Sequence, residues 1–347
     1  MIKCGIIGCG RNVEDLHIPA LDGIENCTIH SVCDLNEERA KTFAFKYGVE
    51  KVYSNTEEYL QSSRDLDFLI VSTPGFTHYE ICNQAVELGY NLLVEKPVTL
   101  SLQDTLKLKN KVDEKGTKFG VIQNYRYREP VIEAKKALDE GLIGEVRQVN
   151  CVFHGQTIFN EPTQWSWQER KNKVLIYEMM VHLLDLEVYF AGPVKQILGH
   201  RVIVDEKLNC TRNIYVIAEH ENGATGLLDL QLFSSSNYMG LEVFGSANDV
   251  KIKFQPHYYR IYSGNVNPLD ELYLDVKRIF DFAIPAFKEK LFKPKVTRRA
   301  ASHYILMKQY VDSLLDPRIP MAVTLDDVIP TMEFAQMLSD LVYDSPT

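Results

Sequence analysis

Leu92-Leu93-Val94-Glu95-Lys96-Pro97 carries an apolar run of strand type straight into a carboxylate, an amine and a proline. Proline disfavours helix at the residue before it and has no N–H for a sheet ladder, so the strand ends here. A lysine at the mouth of a parallel sheet, between apolar walls, loses some of its preference for the charged form. That makes it useful as a proton donor or electrophilic partner. Taken alone, the stretch reads as a strand end with solvated charges, and the chain on either side changes that reading.

Towards the N-terminus, Asp67 to Val71 is an apolar strand followed by Ser72-Thr73-Pro74-Gly75-Phe76-Thr77-His78. Small and turn-forming residues in that position let a flat cofactor ring or ribose lie close to the backbone. His78 is expected to cap or orient the loop. A helix from about Tyr79 to Leu88 then leads into the opening strand. Further back, Ile29 to Asp34 is a strand ending in an acid, which can accept hydrogen bonds from adenosine ribose hydroxyls. The same acid repels a 2′-phosphate and so favours NAD over NADP. Arg39, one turn into the next helix, is read as a solvated residue. Ile2 to Ile7 runs into Gly8-Cys9-Gly10 and then a helix, an arrangement that brings backbone N–H groups to a pyrophosphate. The third glycine position holds Val13, which costs packing space and not phosphate contact. Strands alternating with helices of this length specify a doubly wound parallel sheet.

The glycine turn, Asp34, Ser72-Thr73-Pro74 and above all Glu95-Lys96-Pro97 together resemble the Gfo/Idh/MocA family of nicotinamide-dependent oxidoreductases. The resemblance continues through Asn124-Tyr125-Arg126-Tyr127 and Gly141-Leu142-Ile143-Gly144-Glu145, covering nearly the whole chain. It implies an α/β protein: an N-terminal Rossmann domain over residues 1–123, then an α/β domain over 124–347 with a large open, mainly antiparallel sheet. It also implies NAD as cofactor, with NADP admitted, held by Gly8, Gly10, Arg11, Asn12, Asp34, Ser72, Thr73, Pro74, His78, Glu95, Lys96 and Asn124. Members act on a sugar or cyclitol carbon, with the lysine matching Lys96 at the reacting centre.

Downstream, Ser101 caps a helix to about Lys115, and Lys118 to Ile122 is a further strand. Asn124 and Arg126 follow at the crossover, where contact with cofactor or substrate and pinning of the domain junction are equal readings. Val131 to Asp139 reads as a helix ended by Gly141, and Val146 to Phe153 as a strand. Trp165 and Trp167 offer flat apolar faces suited to a sugar, or else anchor a loop. Val174 to Phe190 is apolar except for Glu178, His182 and Asp185, with Tyr189 continuing the line. Spacings of four, three and four put these groups on one helix face. A stripe of that kind in a buried helix is an internal hydrogen-bond network, the border of a cavity, or a metal pair. No further ligand cluster supports the metal, and the resemblance decides for catalysis: its pattern places an acid four residues before a histidine. Glu178 stands where aspartate is common in the family, and the glycines that often precede this helix are replaced by Lys171 to Ile176.

Beyond Gly192-Pro193 the chain reads as sheet: Gln196 to Val204, Ile214 to His220, Ala224 to Phe233 and Leu241 to Phe244. One face packs inside, and the other is expected to carry enough apolar surface to want cover. Members of the family it resembles often pair such open faces, so the resemblance implies a homodimer or homotetramer. Asp275 to Phe292 mixes aromatic and charged residues ahead of Lys293, Lys295, Arg298 and Arg299; a membrane-surface helix is one reading, and a subunit-contact or lid insertion with a solvated basic end is the one preferred. Ala300 to Leu315 and Thr324 to Leu341 are closing helices.

Composition bounds the partners. The 347 residues are 45% hydrophobic and carry a net charge of -9, which offers no basic surface for nucleic acid or an anionic membrane. No apolar stretch approaches a membrane span. Seven scattered cysteines without metal-ligand spacing read as buried thiols of a cytoplasmic protein. The expected reaction moves a hydride between nicotinamide and a carbinol or ketone carbon of a sugar or cyclitol. His182 is its general base, Lys96 its alkoxide stabiliser, and Glu178 orients His182 or holds a neighbouring hydroxyl. Arg126, Trp165 and Trp167 complete the substrate contacts. Two rivals remain: a sensor or scaffold of the same fold without turnover, and a reductase of an imine or linear tetrapyrrole.

Overall fold

The computed structural model describes residues 1–155, 175–206, 210–235, 237–254, 257–262, 296–297 and 299–343, with positions 276, 280 and 284. The chain divides into two units, Met1–Tyr127 with Pro294–Met332 and Arg128–Lys293 with Glu333–Thr347. A single crossing at residue 123 does not anticipate this return of the C-terminal helices to the first unit.

In the first unit, β1 (Ile2–Ile7) leads through a turn to α1 (Ile18–Leu21), β2 (Cys27–Cys33), α2 (Glu37–Tyr47), β3 (Lys51–Tyr53) and α3 (Thr56–Ser62). The chain continues with β4 (Phe68–Val71), α4 (His78–Glu87), β5 (Leu92–Glu95), α5 (Leu102–Lys115) and β6 (Phe119–Ile122). Asn36, Asn55 and Ser101 begin α2, α3 and α5, each side chain accepting from a backbone N–H three residues on. The strands run parallel in the order β3-β2-β1-β4-β5-β6. Leu69, Ile70, Val71, Leu92, Leu93 and Val94 are fully buried, as strands covered on both faces must be. The strand order reverses between β1 and β4, so the loops after those strands part and open a crevice.

The segment between β1 and α1 opens as a five-residue π turn, Val13–His17. Pro19 has no N–H for the carbonyl of Asp15, and its ring crowds that carbonyl, so regular α-helix cannot run through this point. Val13 is fully buried within this wider turn.

Helix returns to this unit because β6 leaves room for it. Gly120 lies under the Tyr310 ring, which a Cβ there would strike, and Val121 donates its N–H to the Val323 carbonyl at 2.9 Å. The second unit holds α6 (Glu129–Asp139), β7 (Val146–His154), a π turn over Leu175–Met180, α7 (Val181–Ala191), β8 (Val194–Asp205) and β9 (Cys210–His220). It continues through β10 (Thr225–Gln231), β11 (Tyr238–Gly245), β12 (Asp249–Phe254) and β13 (His257–Tyr262). Of the last two helices, α8 (Ala301–Leu315) belongs to the first unit, and α9 (Leu325–Tyr343) begins in the first and ends in the second.

The seven strands of the second unit are ordered β13-β12-β11-β7-β10-β9-β8, antiparallel except where β10 pairs with β7. Helix α7 packs on β7 and β10, and α6 on β12 and β13. Val149, Cys151, Leu228, Leu230 and Val243 are buried beneath them. The opposite face mixes apolar side chains, Val152, Leu227 and the exposed Ile217 among them, with a polar ladder. Gln148 donates to Asn150 at 2.7 Å, Asn150 donates to Glu242 at 3.2 Å, and Lys251 pairs with Glu242 at 2.9 Å. His154 meets Asp229 at 2.9 Å. Alternation sorts residues onto faces, but it does not count the cross-strand bonds that form along them.

Candidate functional site

Gly8 adopts φ +96°, and a Cβ there would run into the Ser72 carbonyl, so β1 can end beside β4 only with glycine. Gly10 is different: a Cβ there would meet open space. Packing does not require glycine at Gly10, and its backbone is left open. Beyond this turn lies a cavity of ≈ 870 Å³ lined by Cys9, Gly10, Arg11, Glu14, Asp15, Asn36, Glu38, Arg39, Thr42 and Phe43. Asn12 begins the π turn beside it.

Asp34 stands at the carboxyl end of β2, 8% exposed. Its Oδ2 accepts from the Cys9 N–H at 2.9 Å and its Oδ1 from the Asn36 N–H at 2.8 Å. Arg39 is exposed, as a solvated helix residue should be, and from solvent its guanidinium also reaches Oδ2 at 3.5 Å. A carboxylate has lone pairs beyond these contacts and can still accept from a ribose. Glycine turn, open backbone and acid fit the adenosine half of a nicotinamide dinucleotide.

The loop after β4 is tied to the loop after β5 by one histidine. His78 is fully buried, with Nδ1 2.7 Å from the Pro97 carbonyl and Nε2 2.8 Å from the Thr73 carbonyl. Thr77 donates its hydroxyl to the Pro74 carbonyl at 2.7 Å, and Ser72 donates its N–H to Ile7 at 2.9 Å. The expected role of His78 in orienting the loop matches this geometry.

Lys96 follows β5, half-buried, and a cis peptide joins it to Pro97. Glu95 beside it is buried. Its Oε1 accepts from His17 Nε2 at 2.7 Å, and its Oε2 accepts from the Lys96 N–H at 3.2 Å. His303, from the first turn of α8, lies 4.0 Å from the same Oε1. Burial alone would raise the Glu95 carboxyl, but the hydrogen bond and charge of His17, with the charges of His303 and Lys96, outweigh it and hold the pKa down to about 2. Asn124 and Arg126 lie on the same unit. Asn124 donates to the Ser302 hydroxyl at 3.2 Å, and Arg126 to the Asp327 carbonyl at 3.0 Å. Both bonds tie the turn after β6 to the returning helices of the same unit.

In the second unit, Glu178 lies on the π turn and His182 in the first turn of α7. Both are partly exposed, as is Tyr189, while Asp185 is fully buried. Lys135 lies over the Tyr189 ring, 5.1 Å from its centroid. A π turn re-aims one side chain against the regular helix that follows, and such turns recur at functional sites. Trp165 and Trp167 fall outside the described residues, as do Lys171 to Val174 and nearly all of the 275–299 segment.

Three buried groups escaped the sequence reading: His17, His303 and the pair Glu187–His220. Glu187 Oε1 lies 3.3 Å from His220 Nε2, with both side chains buried. Burial pushes the Glu187 carboxyl up, beyond what His220 can offset. No local pattern marks these residues, since their partners are 33 to 208 positions away (220 − 187 and 303 − 95).

Residues 2–123 match GFO_IDH_MocA, an oxidoreductase family with an NAD-binding Rossmann fold, and residues 131–251 match the GFO/IDH/MocA C-terminal domain. A D-apiose dehydrogenase of Paraburkholderia graminis is 24% identical over 65% of this chain, and the match spans 60% of that protein's length. A myo-inositol 2-dehydrogenase of Thermotoga maritima is 25% identical over 71% of this chain and 73% of its own. The fold is also that of the WlbA dehydrogenase of Bordetella pertussis, solved with NADH and UDP-GlcNAcA. That structure aligns with a TM-score of 0.77 at 15% identity, over 99% of this chain and 97% of the other.

Proposed function

The chain belongs to the GFO/IDH/MocA oxidoreductase family, and from that premise we propose that it is a dehydrogenase of sugars or cyclitols using NAD. The observation that carries the reading is the Glu95-Lys96-Pro97 corner. It lies at the carboxyl end of β5, tied by His78 to the loop after β4, in a sheet whose glycine turn is open to a dinucleotide. The relatives named for D-apiose and myo-inositol support a polyhydroxylated substrate.

Gly8, Gly10 and the N–H groups of Arg11 and Asn12 serve the pyrophosphate, Asp34 the adenosine ribose, and Ser72 to Pro74 with Asn124 the nicotinamide half. When bound, the nicotinamide supplies hydride acceptance or donation. Lys96 donates a hydrogen bond to the substrate's carbinol oxygen and stabilises the charge that builds there as the carbon loses its hydride. His182 takes the hydroxyl proton, leaving a carbonyl, and Glu178 orients His182 or holds a neighbouring hydroxyl. Trp165 and Trp167 provide flat faces for the sugar ring. The protein works as a homodimer or homotetramer in the cytoplasm. Among the described residues no helix is long and apolar enough to cross a membrane.

Val13 and the glycines missing before the 178–189 helix are the best support for a scaffold that binds the dinucleotide without turnover. Val13 is buried in the widened turn, and Lys96, Glu178 and His182 together support turnover. Lys96→Met keeps the stem length and removes the amine. Turnover should fall by about 10²-fold or more while the NAD dissociation constant, titrated by fluorescence, stays within a few-fold. Equal losses in both would contradict the role given to Lys96.

A further inference from the structure

We propose that His17 is a positioning residue for the Lys96 centre, acting through Glu95. The inference deepens the dehydrogenase reading and rests on it for the role of Lys96. One carboxylate joins the two residues. Oε1 accepts from His17 Nε2 at 2.7 Å, and Oε2 accepts from the peptide nitrogen of Lys96 at 3.2 Å.

His17 has no other bond to make. Its side chain is fully buried, and Nδ1 has no hydrogen-bond partner among the described residues. The ring ends the π turn that Pro19 enforces, and lies 5.7 Å from the His303 ring on α8. Glu95 has lost its water, and a buried carboxylate stays ionised only where donors and positive charge replace that water. His17 supplies the closest donor. The positive charge of Lys96 in turn helps to hold Glu95 ionised. The apolar walls of the sheet therefore act on a lysine whose neighbour is a fixed anion. The bond to its peptide nitrogen fixes where that lysine starts from, as hydrogen bonding to a developing alkoxide requires.

A bound cation is the competing use of the same atoms, since His17, Glu95 and His303 offer ligand atoms within 4.8 Å of one another. Two ligands each about 2.0–2.2 Å from a tetrahedral zinc stand roughly 3.3–3.5 Å apart. The 2.7 Å between His17 and Glu95 is the length of a charge-assisted hydrogen bond.

The test uses the full chain with His17→Leu, His17→Gln and Glu95→Gln. Acylation of Lys96 by an N-hydroxysuccinimide acetate at fixed pH, read by peptide mass spectrometry, reports its free-amine fraction without any substrate. In His17→Leu the carboxyl loses its donor and takes up a proton, so Lys96 should react roughly tenfold faster, and Glu95→Gln should do the same. His17→Gln restores an N–H donor, and its rate should stay within about twofold of the unsubstituted protein. In turnover, His17→Leu should lower kcat and spare KM, with rescue by His17→Gln. Should His17→Leu fail to fold, Glu95→Gln and His17→Gln carry the comparison. Lys96 reactivity that is unchanged or slower in Glu95→Gln would overturn the proposal, as would one equivalent of zinc in the purified protein that His17→Gln loses. If Lys96 responds as expected while the unsubstituted protein turns over no sugar or cyclitol, the dehydrogenase reading fails and the positioning arrangement stands.

Discussion

A buried glutamate with its pKa held near 2 is a statement about stability as well as about chemistry. Glu95 is lowered from its usual 4.5, so its contribution is fully present above about pH 4.5 and is lost as pH falls from there towards 2. The shift corresponds to roughly 3 kcal/mol for this buried group. Acid denaturation followed by circular dichroism should show that loss in the unsubstituted protein. Glu95→Gln, which has no carboxyl to protonate, should flatten the profile over the same window. A second residue decides the cofactor. Asp34 repels a 2′-phosphate, yet Arg39 already touches its Oδ2 and would be released by a neutral side chain. Asp34→Ser should therefore improve NADP binding relative to NAD by roughly tenfold or more in paired fluorescence titrations, and an unchanged ratio would remove Asp34 from the ribose role. The acid itself was legible in the sequence from its place at a strand end. Its ion pair was not, because α2 winds Arg39 back over the strand it follows.

Elements were read best where local period and punctuation agree. The strands of the first sheet follow from apolar runs that stop at Gly8, Asp34, Ser72 and Glu95, and α5 begins at the predicted cap Ser101. The helix expected over Val174 to Phe190 is a π turn followed by α7 among the described residues, a change of winding that hydrophobic period cannot register. Strands β12 and β13 escaped notice, since Asp249–Phe254 and His257–Tyr262 mix charge with apolar residues and pair mainly with each other and β11. Gly226 shows how strand and helix are fitted together. A Cβ there would strike Glu187 and come within 2.9 Å of His220 Nε2, both fully buried. Gly226→Ala must displace the Glu187 carboxylate from its place beside His220, and should cost about 1–3 kcal/mol in urea unfolding. A value near zero would show that the pair is free to move, contrary to its burial.

Over the whole molecule, the order of motifs disclosed the family, while the path of the chain after residue 293 stayed hidden. Tyr310 fills the space above Gly120, Ser302 receives Asn124, and His303 faces Glu95, three contacts that bring the C-terminal helices to the first sheet. Each joins residues more than 170 positions apart, a separation at which periodicity carries no information (302 − 124 = 178). The candidate site was legible to the same degree. Lys96, Asp34 and the glycines stand out by their place at strand ends, whereas the buried histidines that hold Glu95 become visible only once the chain is folded. The most direct test of the account is hydride transfer itself. The purified protein would be given NAD or NADP with a panel of sugars, cyclitols and sugar nucleotides, and reduced nicotinamide followed by absorbance. Turnover with at least one polyol, falling by about 10²-fold or more in His182→Ala, is the predicted result. Tight NAD binding without reduction across the panel, or turnover that His182→Ala leaves intact, would contradict it.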